Sequence, residues 1–403
     1  MKTASLGNHD RRRVLKGLAA GVGAAAITTV LPTRFSIGQE AKLKLGLMLP
    51  YSGTYAALGK NIDDALRLAI NEKGGKLGGR EVEYVTLDDE SDPAKSADNA
   101  NRLVTRDKVD FLIGTVSSGV QMGINKVATD NDVMLIIPNA GVTVATRDLC
   151  AANVFRTSFS NWQPAYAMGI VAGAQDKKRA IAISWDYAAG RESNAAFTEG
   201  FVNRGGKTER ELYLPFPQVE FQPLLTQIAA AKPDVVYAFF AGGGAVKFVK
   251  DYAAAGLKAN IPLVGAGFLT DGTLEAQGEA AEGLETTLHY ADGLGNPRDD
   301  AFRAAFKKAT NRDADVYAVQ GYDTGLLLIS GLDAVKGDMK ARKELIAAME
   351  KTEIDSPRGK FSLSKSHNPI QDIYLRRVKG LENRFVSVAV KALADPGTGC
   401  KLA

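Results

Sequence analysis

Histidine and cysteine are scarce in this chain, at three and two among 403 residues. Of His9, His289 and His367 the first lies in the leader, so a His-dependent triad or a His-rich metal site has few candidates. Cys150 and Cys400 form no CxxC pair, which removes the usual zinc and thioredoxin-like readings. No G-x-S-x-G nucleophile elbow occurs, and an exported hydrolase, the enzyme alternative, would need one. Net charge is also missing from the body. Six of the 50 basic residues and two of the 46 acidic ones fall within residues 1–40, so that segment carries the whole formal charge of +4. A balanced body has no basic footprint for nucleic acid or anionic membrane. The apolar stretch at 17–31 is Ala- and Gly-rich, short and weakly apolar for a membrane span.

What is present begins with an export signal. Arg11-Arg12-Arg13-Val14-Leu15-Lys16 precedes the uncharged stretch and resembles a twin-arginine signal, with processing expected between residues 27 and 42. Gly21-Val22-Gly23-Ala24-Ala25-Ala26 fits G-x-G-x-x-A but has no strand before it and lies in the leader, so no dinucleotide site is read there.

The body then alternates strand and helix signals. Strands are expected at 42–50, 82–87, 109–113 and 133–137, with helices at 56–72, 93–105 and 120–130 between them. Residues 155–162 read as a crossing segment. A second series follows, with strands at 179–184, 209–214, 234–240, 261–264 and 283–288 and helices at 162–174, 190–203, 221–231 and 245–255. Residues 289–297 are polar and Gly-rich, a second candidate crossing. Three helical segments occupy 298–351, the most apolar being 317–335, expected against the first sheet. Residues 357–361 would cross a third time, and strands at 370–378 and 384–390 would close the chain. The fold class is therefore α/β: two lobes, each a parallel βα sheet with helices on both faces. Expected divisions are 1–40 for the signal, 41–158 plus 290–358 for the N-terminal lobe, and 159–289 plus 359–403 for the C-terminal lobe.

Ligands of such sheets bind beyond the carboxyl ends of the strands. That rim comprises residues 51–55, 88–90, 114–118 and 139–141. Within it, Ser117 and Ser118 stand where the strand at 109–113 hands over to a helix. Free backbone N–H groups and the helix dipole there favour an anion, so this corner is the expected seat of a carboxylate. Tyr51 and Tyr55 stand beside it. An ordinary capped helix is the plainer reading of the same residues. Asp88, Asp89 and Glu90 are read as rim or solvated acids, not a cation site. Gly242-Gly243-Gly244 lacks the Lys-Ser/Thr of a P-loop and is read as a tight turn. Trp185 and Tyr187 suit either a stacking role or the core. His289 suits a hinge, and His367 is expected to be exposed.

The residues 45–58 (LGLMLPYSGTYAAL), 114–118, 136–140 (IIPNA), 155–157 (FRT) and 234–240, with the signal and three crossings, resemble the type I periplasmic solute-binding proteins of ABC importers. The resemblance covers about residues 42–391 and is to the branched-chain amino-acid-binding family. The FRTSFSNW stretch at 155–162 is similar to the subgroup associated with aromatic acids. It implies a carboxylate held by Ser118, with Ser117 beside it, and by Asn139, Ala140 and Gly141. The second lobe would close over the ligand with Tyr187 or Ala189, Phe240 or Ala241, and a residue near Phe268. Two departures bear on the ligand. The family's amino-acid binders place an acid in the loop at 265–270, and none stands here until Asp271; Leu58 takes the place of a usual Tyr. Phe239, Phe240 and Phe268 make the cleft apolar. A buried ammonium without counter-charge is costly, so the expected ligand is a carboxylate lacking an α-amino group, of benzoate or phenylpropanoid type. An amino acid is the alternative, with Asp271 and Glu275 close enough in sequence to serve it. No cofactor, metal or catalysis is expected. The expected partners are this small carboxylate and an inner-membrane permease, the protein acting as a periplasmic monomer, with a sensor subunit as a further alternative. Cys150 and Cys400 would meet an oxidising compartment together and are expected to bridge.

Overall fold

The computed structural model describes residues 41–402. The expected signal and its twin-arginine motif lie outside these residues. The first sheet contains β1 (Leu43–Leu49), β2 (Lys76–Leu77), β3 (Arg80–Asp88), β4 (Phe111–Ile113), β5 (Met134–Ile137) and β6 (Val154–Arg156). Their spatial order is β2-β3-β1-β4-β5-β6, and all pairings are parallel except β2 with β3. Between them lie α1 (Ala56–Glu72), α2 (Ser96–Asn101) and α3 (Ser118–Asp130). The helix expected at 93–105 is one winding whose pitch changes, from a 3₁₀ turn through α2 to a π turn.

Strand alternation builds this lobe. Phe111 and Ile113 face one side, with Leu43, Leu45 and Leu47, against Leu66 and Ile70 of α1. Leu112 faces the other side, with Met48, Leu135 and Ile137, against Val120, Ile124 and Val127 of α3. Being buried on both faces, the central strands are near-continuous apolar runs.

The second lobe holds α4 (Trp162–Ala174), β7 (Arg179–Asp186), α5 (Ala188–Val202), β8 (Lys207–Pro215), α6 (Gln222–Ala231), β9 (Val235–Phe239), α7 (Gly242–Ala254), β10 (Leu263–Ala266), α8 (Leu274–Gln277) and β11 (Glu285–Leu288). Then come α9 (Pro297–Thr310), α10 (Val316–Ala334) and α11 (Arg342–Glu350), followed by β12 (Ser362–Leu363), β13 (Pro369–Lys379) and β14 (Glu382–Leu393). Strands β8, β7, β9, β10 and β11 run parallel, and the β13–β14 hairpin adds antiparallel strands at the β11 edge. Helix α10 lies directly on α1, where the sequence places it against the first sheet itself. A side chain at Gly321 would strike the Ile62 carbonyl, and one at Gly325 would come within 2.5 Å of the Ala69 methyl.

Three segments join the lobes: residues 157–161, residues 289–296, and the entry to β13 near Pro369. The third lies beyond 357–361, the segment expected from sequence, because Ile354, Phe361 and Leu363 pack in the first lobe's core and His367 sits against β6. Arg358 ties the first of them to α10. It is 3% exposed, donates to the carbonyls of Thr157 (2.5 Å) and Ser158 (3.0 Å), and pairs with Asp323 of α10 at 2.9 Å. Cys150 and Cys400 are disulfide-bonded, with Cα atoms 5.5 Å apart. Arg147 and Asp395 form a two-pronged ion pair beside the bridge.

Three further expectations need correction. Residues 154–156 are the sixth strand of the first sheet, so the crossing begins only at Thr157. Gly242, Gly243 and Gly244 are the first turn of α7, not a turn before it, and Gly244 abuts the Trp185 indole. His367 is buried at 1% exposure. Its ring stacks on Phe155 with centroids 4.0 Å apart and bonds the Val154 carbonyl (2.9 Å) and Glu350 (3.0 Å). Its polar sequence neighbours hide this, because the stacking partner comes from a distant strand.

Candidate functional site

A small, narrow cavity lies between the lobes. The first lobe contributes Tyr55 and Leu58 from the start of α1, Val116 and Ser118 from the β4–α3 turn, and Asn139 and Gly141 after β5. The crossing at 157–161 contributes Phe159 and Asn161. Tyr187 and Ala189 come from the start of α5, Phe239 and Ala241 from the end of β9, Phe268 from the loop after β10, and Tyr317 from the first turn of α10.

Several helices begin on this cavity. α1, α3, α5 and α7 each start there with no side-chain cap and no acid in the first turn. In α3 the first partnered N–H is that of Gln121, to the Ser117 carbonyl at 2.9 Å. The N–H groups of Ser118, Gly119 and Val120 therefore have no acceptor among the described residues. The same holds at 188–190 of α5 and 242–244 of α7, whose first partnered N–H groups are those of Arg191 and Ala245. α10 differs, because Asp315 caps it by accepting from the Ala318 N–H at 2.9 Å.

No Lys, Arg, Asp or Glu lines the cavity. Its walls are aromatic: Phe159 and Phe268 have centroids 4.6 Å apart, and Phe239 lies edge-on to Phe268 at 6.1 Å. An anion here would meet helix dipoles and neutral donors in a largely apolar surround. The acids that the sequence offers as counter-charge for an ammonium stand outside the cavity. Asp271 is bonded at 2.6 Å to Arg376, itself fully buried, and Glu275 is exposed.

The lobes meet across the cavity. The Tyr55 and Tyr187 hydroxyls lie 3.2 Å apart, and burial raises both phenols above their ordinary pKa. Glu192 of α5 accepts from the Thr143 N–H (3.0 and 3.2 Å), the Thr143 hydroxyl (2.8 Å) and the Asn161 amide (2.7 Å). The same Asn161 amide is 3.4 Å from the Ser118 hydroxyl. Asn139 donates to Gln320 at 2.7 Å, and Gln320 meets His289 at 3.1 Å. Burial, with Arg358 and Arg376 nearby, lowers the His289 pKa well below its usual value and keeps the ring neutral.

Of the residues singled out from sequence, Tyr55, Ser118, Asn139, Gly141, Tyr187 and Phe268 line the cavity. Four do not. Tyr51 turns away to bond Asp63 (3.1 Å), while its N–H and Ser52 are held by Asp88. Ser117 occupies the position before α3, where its carbonyl rather than its side chain is used. Ala140 donates its N–H to Thr115 at 2.9 Å and packs in the first lobe's core. Phe240 packs on Trp185, Phe221 and Phe248, because strand alternation sends Phe239 and Ala241 to the cavity and Phe240 to the opposite side. Trp185 is core as well, its indole N–H donating to the Gln218 carbonyl at 2.7 Å. Asp89 bonds Thr115 and is 0% exposed, so burial raises its pKa to about 6. Val116, Phe159, Asn161 and Tyr317 were not singled out. The crossing carries two of them, and Tyr317 reaches the site only through the packing of α10.

The sequence pattern of the periplasmic binding protein family matches residues 42–383. A Leu/Ile/Val-binding protein homologue from Brucella melitensis is 31% identical over 367 residues, covering 88% of this chain and 93% of the relative. An ABC-transporter solute-binding protein from R. palustris, solved with benzoate, is 48% identical with a TM-score of 0.87, covering 90% of this chain and 100% of that one. Another from Rhodopseudomonas palustris BisB5, solved with 3,4-dihydroxybenzoic acid, is 31% identical with a TM-score of 0.83, covering 88% and 99%.

Proposed function

We propose, from the premise that the chain belongs to the periplasmic binding protein family, that it delivers a small aromatic carboxylate of the benzoate class to an ABC permease. The observation that carries this is the cavity itself: aromatic walls, no charged side chain, and three helix starts with unpartnered N–H groups facing one space. The carboxylate rests on the α3 N–H groups and the Ser118 hydroxyl, with the Gly141 N–H beside them. The ring lies among Phe159, Phe239 and Phe268. The relatives solved with benzoate and 3,4-dihydroxybenzoic acid support the same ligand class.

The Leu/Ile/Val-binding relatives favour a second reading, an amino acid. Its ammonium group would be buried without a counter-charge, since Asp271 already holds Arg376. An unpaired buried charge costs several kcal/mol. Function then needs no bond made or broken. The ligand touches both lobes and shifts a hinge equilibrium toward the closed form that the permease receives. We place the moving units at 41–158 with 290–368 and at 159–289 with 369–393, the tail at 394–402 lying on the first unit, in a monomer exported to the periplasm by the signal at 1–40.

Titration calorimetry with benzoate, leucine and valine tests the reading. Benzoate is expected to bind one per chain, and the amino acids far more weakly. Binding of leucine or valine with no heat from benzoate would overturn it.

A further inference from the structure

Resting on the aromatic-acid reading, the geometry points to a ring-substituent site. The Tyr317 hydroxyl hydrogen-bonds a hydroxyl carried by the bound benzoate, so that the preferred ligands are hydroxybenzoates, not benzoate itself. Tyr317 is 1% exposed and lines the cavity. Its hydroxyl is buried and has no hydrogen-bond partner among the described residues. Other buried side-chain atoms share that condition, but Tyr317 is the one among them whose residue lines the cavity. A buried hydroxyl left unpaired forfeits the energy of its bond to water, and a ligand that supplies a partner recovers it. Tyr55 and Tyr187 already bond each other, which leaves at most one of their two protons to offer, whereas the Tyr317 hydroxyl has no partner at all among the described residues.

The charges around Tyr317 decide which end of the ligand it meets. Asp315 caps α10 immediately before it and also accepts from Asn61 at 2.8 Å, so this helix start offers no free dipole to an anion. Asp271 is a second carboxylate whose charge acts on the phenol. The ligand carboxylate therefore belongs at the open start of α3, and Tyr317 meets a neutral group. Burial and these two carboxylates keep the phenol protonated, so it can donate or accept.

The test is calorimetry of benzoate, 3-hydroxybenzoate and 4-hydroxybenzoate against the parent protein and Tyr317→Phe. The substitution removes an oxygen with no partner in the fold, so folding is preserved. The parent is expected to bind at least one hydroxybenzoate roughly three- to tenfold more tightly than benzoate, the worth of one neutral hydrogen bond. Tyr317→Phe is expected to bring that ratio to near one, the hydroxybenzoate losing more affinity than benzoate. If the parent shows no preference, or the preference survives in Tyr317→Phe, the inference falls and the aromatic-acid reading stands. A loss of benzoate affinity in Tyr317→Phe as large as that of the hydroxybenzoate would assign the hydroxyl to the carboxylate and overturn it too. If none of the three acids binds, both readings fall together.

Discussion

Replacing Glu192 by alanine should weaken ligand binding without touching the ligand. Glu192 belongs to the second lobe, Thr143 to the first and Asn161 to the crossing between them. The carboxylate gathers the Thr143 N–H, the Thr143 hydroxyl and the Asn161 amide, at 2.7–3.2 Å. Two of these donors sit on one residue of the opposite lobe, so their bonds are made only when the cleft is shut. A hydrogen bond to a charged group is worth about 1.5–3 kcal/mol when buried. Glu192 is half-buried and is hydrated when the cleft opens, so the closed form gains less, about 1–2 kcal/mol in all. At 25 °C that is roughly a five- to thirtyfold rise in Kd. The change should lie in dissociation, since the bonds form after encounter. Glu192→Gln keeps one acceptor and loses the charge, so it should fall between the parent and Glu192→Ala. Calorimetry with benzoate and stopped-flow displacement measure both quantities. Parental affinity and off-rate in Glu192→Ala would refute the idea that this contact holds the lobes shut.

Further outcomes follow from the same geometry. Ser118→Ala removes the hydroxyl beside the open start of α3 and should weaken benzoate about tenfold in calorimetry; unchanged affinity would put the carboxylate elsewhere. Gly141→Ala would drive a methyl against the Asn161 side-chain oxygen and to 2.5 Å from the Phe159 ring, so affinity should drop by at least roughly tenfold with the circular dichroism spectrum unaltered; parental binding would remove Gly141 from the site. Cys150→Ser with Cys400→Ser opens a loop with a sequence separation of 250 and should cost about 2–5 kcal/mol in denaturant unfolding. Two titratable thiols in the denatured, unreduced parent would show that no bridge exists.

The helix at 56–72 is legible to the residue, because its apolar spacing is uninterrupted and Gly53 and Gly74-Gly75 stand at its ends, and the helix at 162–174 is legible as a continuous apolar run ended by Gln175-Asp176-Lys177-Lys178. The parallel α/β order is equally plain, since each buried strand is a short apolar run between turn residues. The site is legible where it is local. Ser118, Asn139, Gly141 and Tyr187 follow strand ends, and strand ends mark the cleft. It fails where one residue of register matters. Reading β9 as ending at Phe240 and not Phe239 sends the wrong phenylalanine into the cavity. It fails again where partners are remote. Nothing near Tyr317 in sequence says that α10 begins at the cavity, and nothing near His367 names Phe155. Asp271 shows the same limit, for its charge looks available until Arg376, on another strand, is found holding it.

The bridge between Cys150 and Cys400 changes how many ways the empty protein can sit. The chain leaves the second sheet at Leu393, and two residues later Asp395 grips Arg147 of the other lobe before the sulfurs lock the tail there. The jaws thus share a fourth strap, covalent at its far end, beside the three the chain already makes. Every added strap removes swivel and slippage while leaving simple bending intact. An empty jaw so restrained wanders through fewer poses, and shutting it forfeits less disorder. A cargo as small as a single ring, with few atoms to offer, benefits most from a trap that is already nearly aligned.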